Sequence, residues 1–156
     1  MGALASTDVA VTVNSGDRNM AGAGAFKDFT LAAIAFGDGV KTYPANGVPL
    51  PAIGSFGLHK GVDFGLVSQN PDDGFIYKYD KTNHSIRIYT QGFKTGDTAA
   101  AVNENGALVK DSSGTEGVPR IPNTAAKTTY DMGGMIELPA ALAPSATTLQ
   151  LLLIGS

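Results

Sequence analysis

At 156 residues this chain has the length of one domain and can bury a sizeable core. Its 20 glycines, 8 prolines and 16% charged residues make it turn-rich and charge-poor, which suits many short strands better than a helix bundle. A net charge of -3, with basic residues scattered singly, argues against a nucleic-acid partner; the absence of cysteine excludes disulfides and thiolate metal sites.

The first residues, MGALASTDVAV, lack a basic region followed by a continuous apolar run. No cleaved signal peptide is expected, and the chain reads as soluble and used without classical export. Val9, Val11 and Val13 alternate with Asp8, Ala10 and Thr12 before a turn at Asn14-Ser15-Gly16-Asp17. Residues 1–13 therefore read as an N-terminal arm or first strand, and residues 14–156 as a single β-sandwich domain. Residues 29–36 (FTLAAIAF) form an apolar run closed by Gly37-Asp38-Gly39, short enough to be a buried strand. Residues 43–51 hold three prolines, each of which removes a donor and pushes its predecessor towards extended geometry. They predict an ordered, extended loop, not a central strand. Residues 51–58 read as a short turn of helix or a loop, and residues 62–68 as a strand leading to a turn at 69–74.

The plainest pattern follows. Phe75, Tyr77 and Tyr79 alternate with Ile76, Lys78 and Asp80; after Lys81-Thr82-Asn83-His84, Ile86 and Ile88 alternate with Arg87 and Tyr89. A period of two places alternate side chains on opposite faces, so this is a hairpin. A four-residue turn sets Tyr79 opposite Ile86 and Tyr77 opposite Ile88, whereas a three-residue turn would oppose the tyrosines to Ser85 and Arg87. The register that buries more apolar surface is the four-residue one.

Across residues 92–127 the pattern dissolves into Ala, Thr, Asn, Ser and Gly, a long irregular excursion in which Ala107-Leu108-Val109-Lys110 alone suggests a short strand. Strands are expected again over residues 130–138 and 147–154, with a turn at 139–144. No charge occurs after Glu137, and Leu149, Leu151 and Leu153 alternate with Gln150, Leu152 and Ile154. A strand apolar on both faces belongs in the middle of a sheet or under a partner subunit, and this one is far too short to span a bilayer. The whole predicts an all-β protein: an antiparallel β-sandwich of about eight strands, jelly-roll-like or a related Greek key.

Chemistry is sparse in this sequence. His84 falls in the hairpin turn, where a solvated polar residue is expected, and His59 lies in a Leu-His-Lys-Gly loop without HxH or HExxH spacing. Asp38 and the Asp72-Asp73 pair are flanked by glycine, but supply too few carboxylates for a calcium loop and read as tight turns. The glycine-rich 21–25 segment lacks GxGxxG and the GK[ST] ending; GxSxG is absent, and no spacing marks a carboxylate pair. No catalytic residue, metal site or cofactor is expected. A stacking platform for sugars or bases would have to use Tyr89 or Tyr43, because the hairpin register turns Tyr77 and Tyr79 inward.

Three blocks carry a resemblance. They are Phe36-Gly37-Asp38-Gly39-Val40-Lys41-Thr42-Tyr43-Pro44 with Gly47-Val48-Pro49-Leu50, then Tyr77-Lys78-Tyr79-Asp80 leading into Ser85-Ile86-Arg87-Ile88-Tyr89, and then Thr148-Leu149-Gln150 through Ile154-Gly155. Together they resemble a family of small structural proteins of tailed bacteriophages; the Tyr-Pro-x-x-Gly-Val-Pro-Leu loop is the most specific part. The resemblance implies a non-enzymatic capsid decoration (cement) protein on the virion exterior, assembled in the host cytoplasm and typically trimeric. Its implied partners are the major capsid protein and further copies of itself, with no nucleic acid and no membrane. Such a protein needs contact area and valency, and a projecting end can add a strand to a neighbour's sheet. Leu4, Thr7, Val9 and Val11 of the N-terminal arm are therefore the expected capsid or subunit contacts. The competing readings are a carbohydrate- or receptor-binding sandwich on the virion and, more remotely, a hydrolase with an inconspicuous carboxylate pair.

Overall fold

Period-two alternation decides the architecture strand by strand. The computed structural model describes residues 2–14, 27–69, 73–95, 130–140 and 142–156. Among these residues lie eight strands: β1 (Ala10–Thr12), β2 (Asp28–Phe36), β3 (Val48–Pro49), β4 (Val62–Val67), β5 (Ile76–Asp80), β6 (Ser85–Thr95), β7 (Tyr130–Glu137) and β8 (Thr147–Gly155). The paired strands all run antiparallel. Sheet 1 has the order β1-β2-β8-β4, and in sheet 2 β6 pairs with β5, β3 and β7. Because β5 covers Ser85 to Tyr89 on one edge of β6, β3 and β7 share the other edge in succession. The expected all-β antiparallel sandwich is the fold of the described residues.

The core lies between the sheets. From sheet 1 it takes Ala32, Ile34 and Phe36 of β2, Leu149, Leu151 and Leu153 of β8, and Val62 and Val67 of β4; from sheet 2 it takes Val48, Tyr77, Tyr79, Ile86 and Ile88. Phe36 meets Tyr77 edge to face across the layers, with ring centroids 6.4 Å apart. Gly65 of β4 lies directly beneath Tyr79: a Cβ there would stand 2.4 Å from the ring. Glycine is required at this point to let a sheet and a phenol ring approach so closely.

The hairpin adopts the four-residue turn, with Tyr77 opposite Ile88 and Tyr79 opposite Ile86. The doubly apolar β8 sits between β2 and β4, in the middle of its sheet. Of the two readings of residues 51–58, a short helical turn or a loop, Ile53–Phe56 forms the turn, of 3-10 type. Two boundaries differ from expectation. The loop holds a two-residue edge strand, β3, where Pro49 is tolerated at the sheet margin. Strand β6 runs on to Thr95, because β7 continues its ladder past the end of β5. The glycine-rich 21–25 segment, Asp72 and the expected strand at 107–110 lie outside the described residues.

Of the two readings of residues 1–13, an arm or a first strand, the structure has the strand, β1. The N-terminal segment is docked on its own subunit: Leu4 N donates to Thr42 O at 2.9 Å, and β1 pairs with β2. Leu4 and Val9 are buried in the core and Val11 packs against it, leaving Thr7 exposed. Three of the four residues expected as contacts thus have apolar side chains that gain more from their own core than from a free position in water.

Candidate functional site

Several of the groups that the sequence singles out, among them Tyr43, Asp80, His84 and Glu137, are tied into the scaffold. In the hairpin turn, Asp80 Oδ1 accepts from Thr82 N at 2.9 Å while its Oδ2 accepts from Asn83 Nδ2 at 2.8 Å. Arg87 donates to the same Oδ2 through Nε at 2.8 Å, and through Nη1 to Glu137 Oε2 at 2.9 Å. Hydrogen bonds from Asn83 and Arg87 hold the Asp80 carboxyl below its ordinary range. Asp80 and Glu137 are therefore bridged by a guanidinium, an arrangement suited to joining β5, β6 and β7.

Glu137 also accepts from Tyr43, whose hydroxyl donates to Oε1 at 2.7 Å. That hydroxyl accepts in turn from Ile88 N at 3.2 Å. Ile88 stands where β3 has ended and β7 has not begun, so its outward backbone groups need substitutes for a strand. Tyr43 supplies the acceptor, and Leu138 N donates to Ile88 O at 2.8 Å. Burial pushes the Tyr43 phenol well above its ordinary value. Tyr43 is buried and offers no stacking face; Tyr89, half-buried on the outer face of sheet 2, retains partial access.

On the opposite edge, Tyr77 points its own backbone outward, and Gln69 meets it. Tyr77 N donates to Gln69 Oε1 at 2.8 Å, while Gln69 Nε2 donates to Tyr77 O at 2.9 Å and to Val67 O at 3.0 Å. One amide side chain thereby joins the margin of β4 to the margin of β5.

His84 is not the solvated turn residue expected. It takes a positive φ of 47° and its ring bridges two elements. Nε2 lies 2.8 Å from Pro51 O and Nδ1 lies 2.8 Å from Tyr79 Oη. A carbonyl can only accept, so Nε2 carries the proton and Tyr79 donates to Nδ1 in the neutral ring. Phe56 packs edge to face on the same imidazole. His59 is exposed in its loop. Asp38 accepts from Val40 N and Lys41 N at 2.8 and 2.7 Å, and Asp73 from Phe75 N and the Tyr77 hydroxyl at 2.9 and 2.5 Å. Both are turn aspartates, as their glycine neighbours predict. Among the described residues no three His, Cys, Asp or Glu side chains converge on a metal-sized site, and no helix is long and apolar enough to cross a membrane.

What sequence reasoning missed is a surface. On sheet 1 the residues opposite the core positions are Phe29 and Leu31 of β2, Leu152 and Ile154 of β8, and Phe64 and Leu66 of β4. The register aligns them in two rows across three strands, Phe29–Ile154–Phe64 and Leu31–Leu152–Leu66. Phe64 and Leu66 are 54% and 57% exposed, and the other four are half-buried. Strand β4 reaches this arrangement by a bulge between Val62 and Phe64, which sends both Asp63 and Phe64 outward. Asp63 pairs with Lys27 at the end of the first row, giving the apolar rows a charged margin. The signal was present in FTLAAIAF and LQLLLIG, where both alternate sets are apolar, but it became a surface only once β4 was placed beside β8.

Comparison with protein-family models, with curated proteins and with solved structures found no match to this chain.

Proposed function

We propose that the chain is a non-enzymatic structural component of a virion, an outer capsid decoration protein that stabilises the head of a tailed phage. The observation that carries this reading is how its reactive side chains are used. Asp38, Asp73, Asp80, His84, Arg87 and Glu137 each hold a turn or join two strands. What the molecule offers its surroundings is a cross-braced sandwich with broad faces, one of them apolar. Those properties suit a load-bearing protein whose affinity comes from area and copy number. The sequence blocks that resemble phage structural proteins point the same way: Gly47, in the Tyr-Pro-x-x-Gly-Val-Pro-Leu loop, turns at φ 84°. A Cβ there would meet Ser85 Oγ at 2.8 Å, so the loop seats against β6.

In this role the partners are the major capsid protein and further copies of the chain, with three copies the number that the resemblance implies. The test is co-sedimentation of the purified chain with empty expanded capsids of the phage that encodes it, with unexpanded procapsids in parallel. Saturable binding to expanded shells, with a raised capsid melting temperature, is the expected result. Absence of binding to either form, or of the chain from purified virions, would overturn the reading.

A further inference from the structure

We infer that Asn46 is a modification site: its side chain loses ammonia to the backbone of Gly47, and the turn that holds the pair sets the rate.

The chemistry begins with the dipeptide. Asn46 and Asn105 alone among the asparagines are followed by glycine. Glycine has no side chain to shield its amide nitrogen, so Gly47 N can attack Cγ of Asn46. A C–N bond forms there, the Cγ–Nδ2 bond breaks, and ammonia departs carrying the Gly47 amide proton. The product is a cyclic succinimide. Water opens it at either carbonyl, giving aspartate by one route and isoaspartate, with the main chain rerouted through Cβ and Cγ, by the other.

The structure leaves this reaction accessible but restrained. Asn46 is exposed, so water and base reach its amide. Gly47 N, however, donates to Pro44 O at 3.1 Å, and Ser85 Oγ donates to Asn46 O at 2.6 Å. The Pro44–Gly47 bond closes a turn in which Asn46 is the third residue and does not take a positive φ, so the turn is of type I. In such a turn the third residue has ψ of about 0°. Ring closure needs a large rotation away from that value, to bring Gly47 N beside the Asn46 side chain. Gly47 has no room to turn in place: a Cβ on it would stand 2.8 Å from Ser85 Oγ and 2.9 Å from Ile86 O. Attack therefore proceeds from a local opening in which both hydrogen bonds are broken. Its rate is that of the free dipeptide multiplied by the fraction of chains open at this turn.

The same packing separates the two products. Aspartate at position 46 leaves the main chain unchanged. Isoaspartate lengthens it by one carbon immediately before β3, where Gly47 is pressed against β6 and Val48 is in register with Ile86. The isoaspartyl chain cannot keep both contacts, and β3 is unseated.

The test is a time course of the full chain at mildly alkaline pH, with conversion at each asparagine read by peptide mass spectrometry. The folded chain is compared with the same chain in urea and with Ser85→Ala, whose fold is checked by circular dichroism. In urea Asn46 and Asn105 should convert at similar rates. In the folded chain Asn46 should convert at least about tenfold more slowly than in urea, and Ser85→Ala should recover part of that factor. The isoaspartyl fraction, separated by chromatography, should unfold at a lower urea midpoint than Asn46→Asp, which should match the native chain. No conversion of Asn46 in urea would remove the site. Equal rates in the folded chain and in urea, or a folded Ser85→Ala no faster than native, would overturn control by the turn. An isoaspartyl chain as stable as Asn46→Asp would overturn the account of the products.

Discussion

Replacing Tyr43 by phenylalanine removes one oxygen and leaves the buried ring in place. The Tyr43 side chain is 1% exposed, and its hydroxyl is the acceptor for Ile88 N at the gap between β3 and β7. That bond is buried, so Tyr43→Phe leaves a buried donor unpaired and takes from the Glu137 carboxylate the bond to Tyr43, leaving it the one to Arg87. Loss of one partner of a buried hydrogen bond costs about 1–3 kcal/mol, and about 2 kcal/mol is the central expectation. For a domain of this size that lowers Tm by roughly 4–8 °C. Urea unfolding followed by circular dichroism should show a lower midpoint with an unchanged slope, since the surface exposed on unfolding stays the same. Tyr89→Phe, on the outer face of sheet 2, is the matched control and should lie within about 0.5 kcal/mol of the native chain. If Tyr43→Phe proves as neutral as Tyr89→Phe, the hydroxyl is not the substitute for a missing strand, and the account of that gap is wrong.

Other consequences are equally measurable. Burial pushes the Tyr79 phenol up to about 12, and raises Tyr43 and Tyr77 further still, from an ordinary 10.0. The folded state therefore binds more protons than the unfolded one above pH 10. The stabilisation is complete below about pH 10 and is lost as pH rises towards 12. Urea midpoints that stay flat across this window would contradict the burial of the three phenols. At the acid end Asp80 is held low by Asn83 and Arg87, so its contribution is present above about pH 3.8 and lost below it; Asp80→Asn should flatten the native acid transition. Gly65→Ala sets a methyl 2.4 Å from the Tyr79 ring and should cost about 1–3 kcal/mol, read from the same urea curves. Leu4→Ala should destabilise the subunit by about 2–3 kcal/mol, whereas Thr7→Ala should be close to neutral; equal effects would mean that the N-terminal segment is not docked as described.

The sequence was most readable where one face of a strand is apolar and the other polar. Tyr77 and Tyr79 against Lys78 and Asp80 set the hairpin register without any tertiary information, because a one-residue slip would bury Arg87. It was least readable where both faces are apolar. In β2 and β8, period two assigns alternate sides without saying which is inside, and the choice came from the strands of sheet 2 that cover one side. The bulge at Asp63, the approach of Tyr79 to Gly65 and the reach of Gln69 to Tyr77 each join residues with no local signature. The N-terminal segment was legible only as one of two alternatives, an arm or a first strand, for a related reason. Small, nearly uncharged residues suit either, and it is the burial of Leu4 and Val9, the bond to Thr42 and the pairing of β1 with β2 that seat the segment on its own subunit.

The Gln69 amide has a consequence for what the molecule is able to build. A bare strand margin recruits the next copy's margin, that copy recruits another, and the product is a fibre without a defined end. By occupying the carbonyl of Val67 and both backbone groups of Tyr77, a single side chain blunts the margins of both layers at one corner of the subunit. Growth is discouraged along the direction that has no natural stop. A subunit blunted in this way can meet a neighbour only through its faces or its remaining edges, where closed point-group arrangements are available.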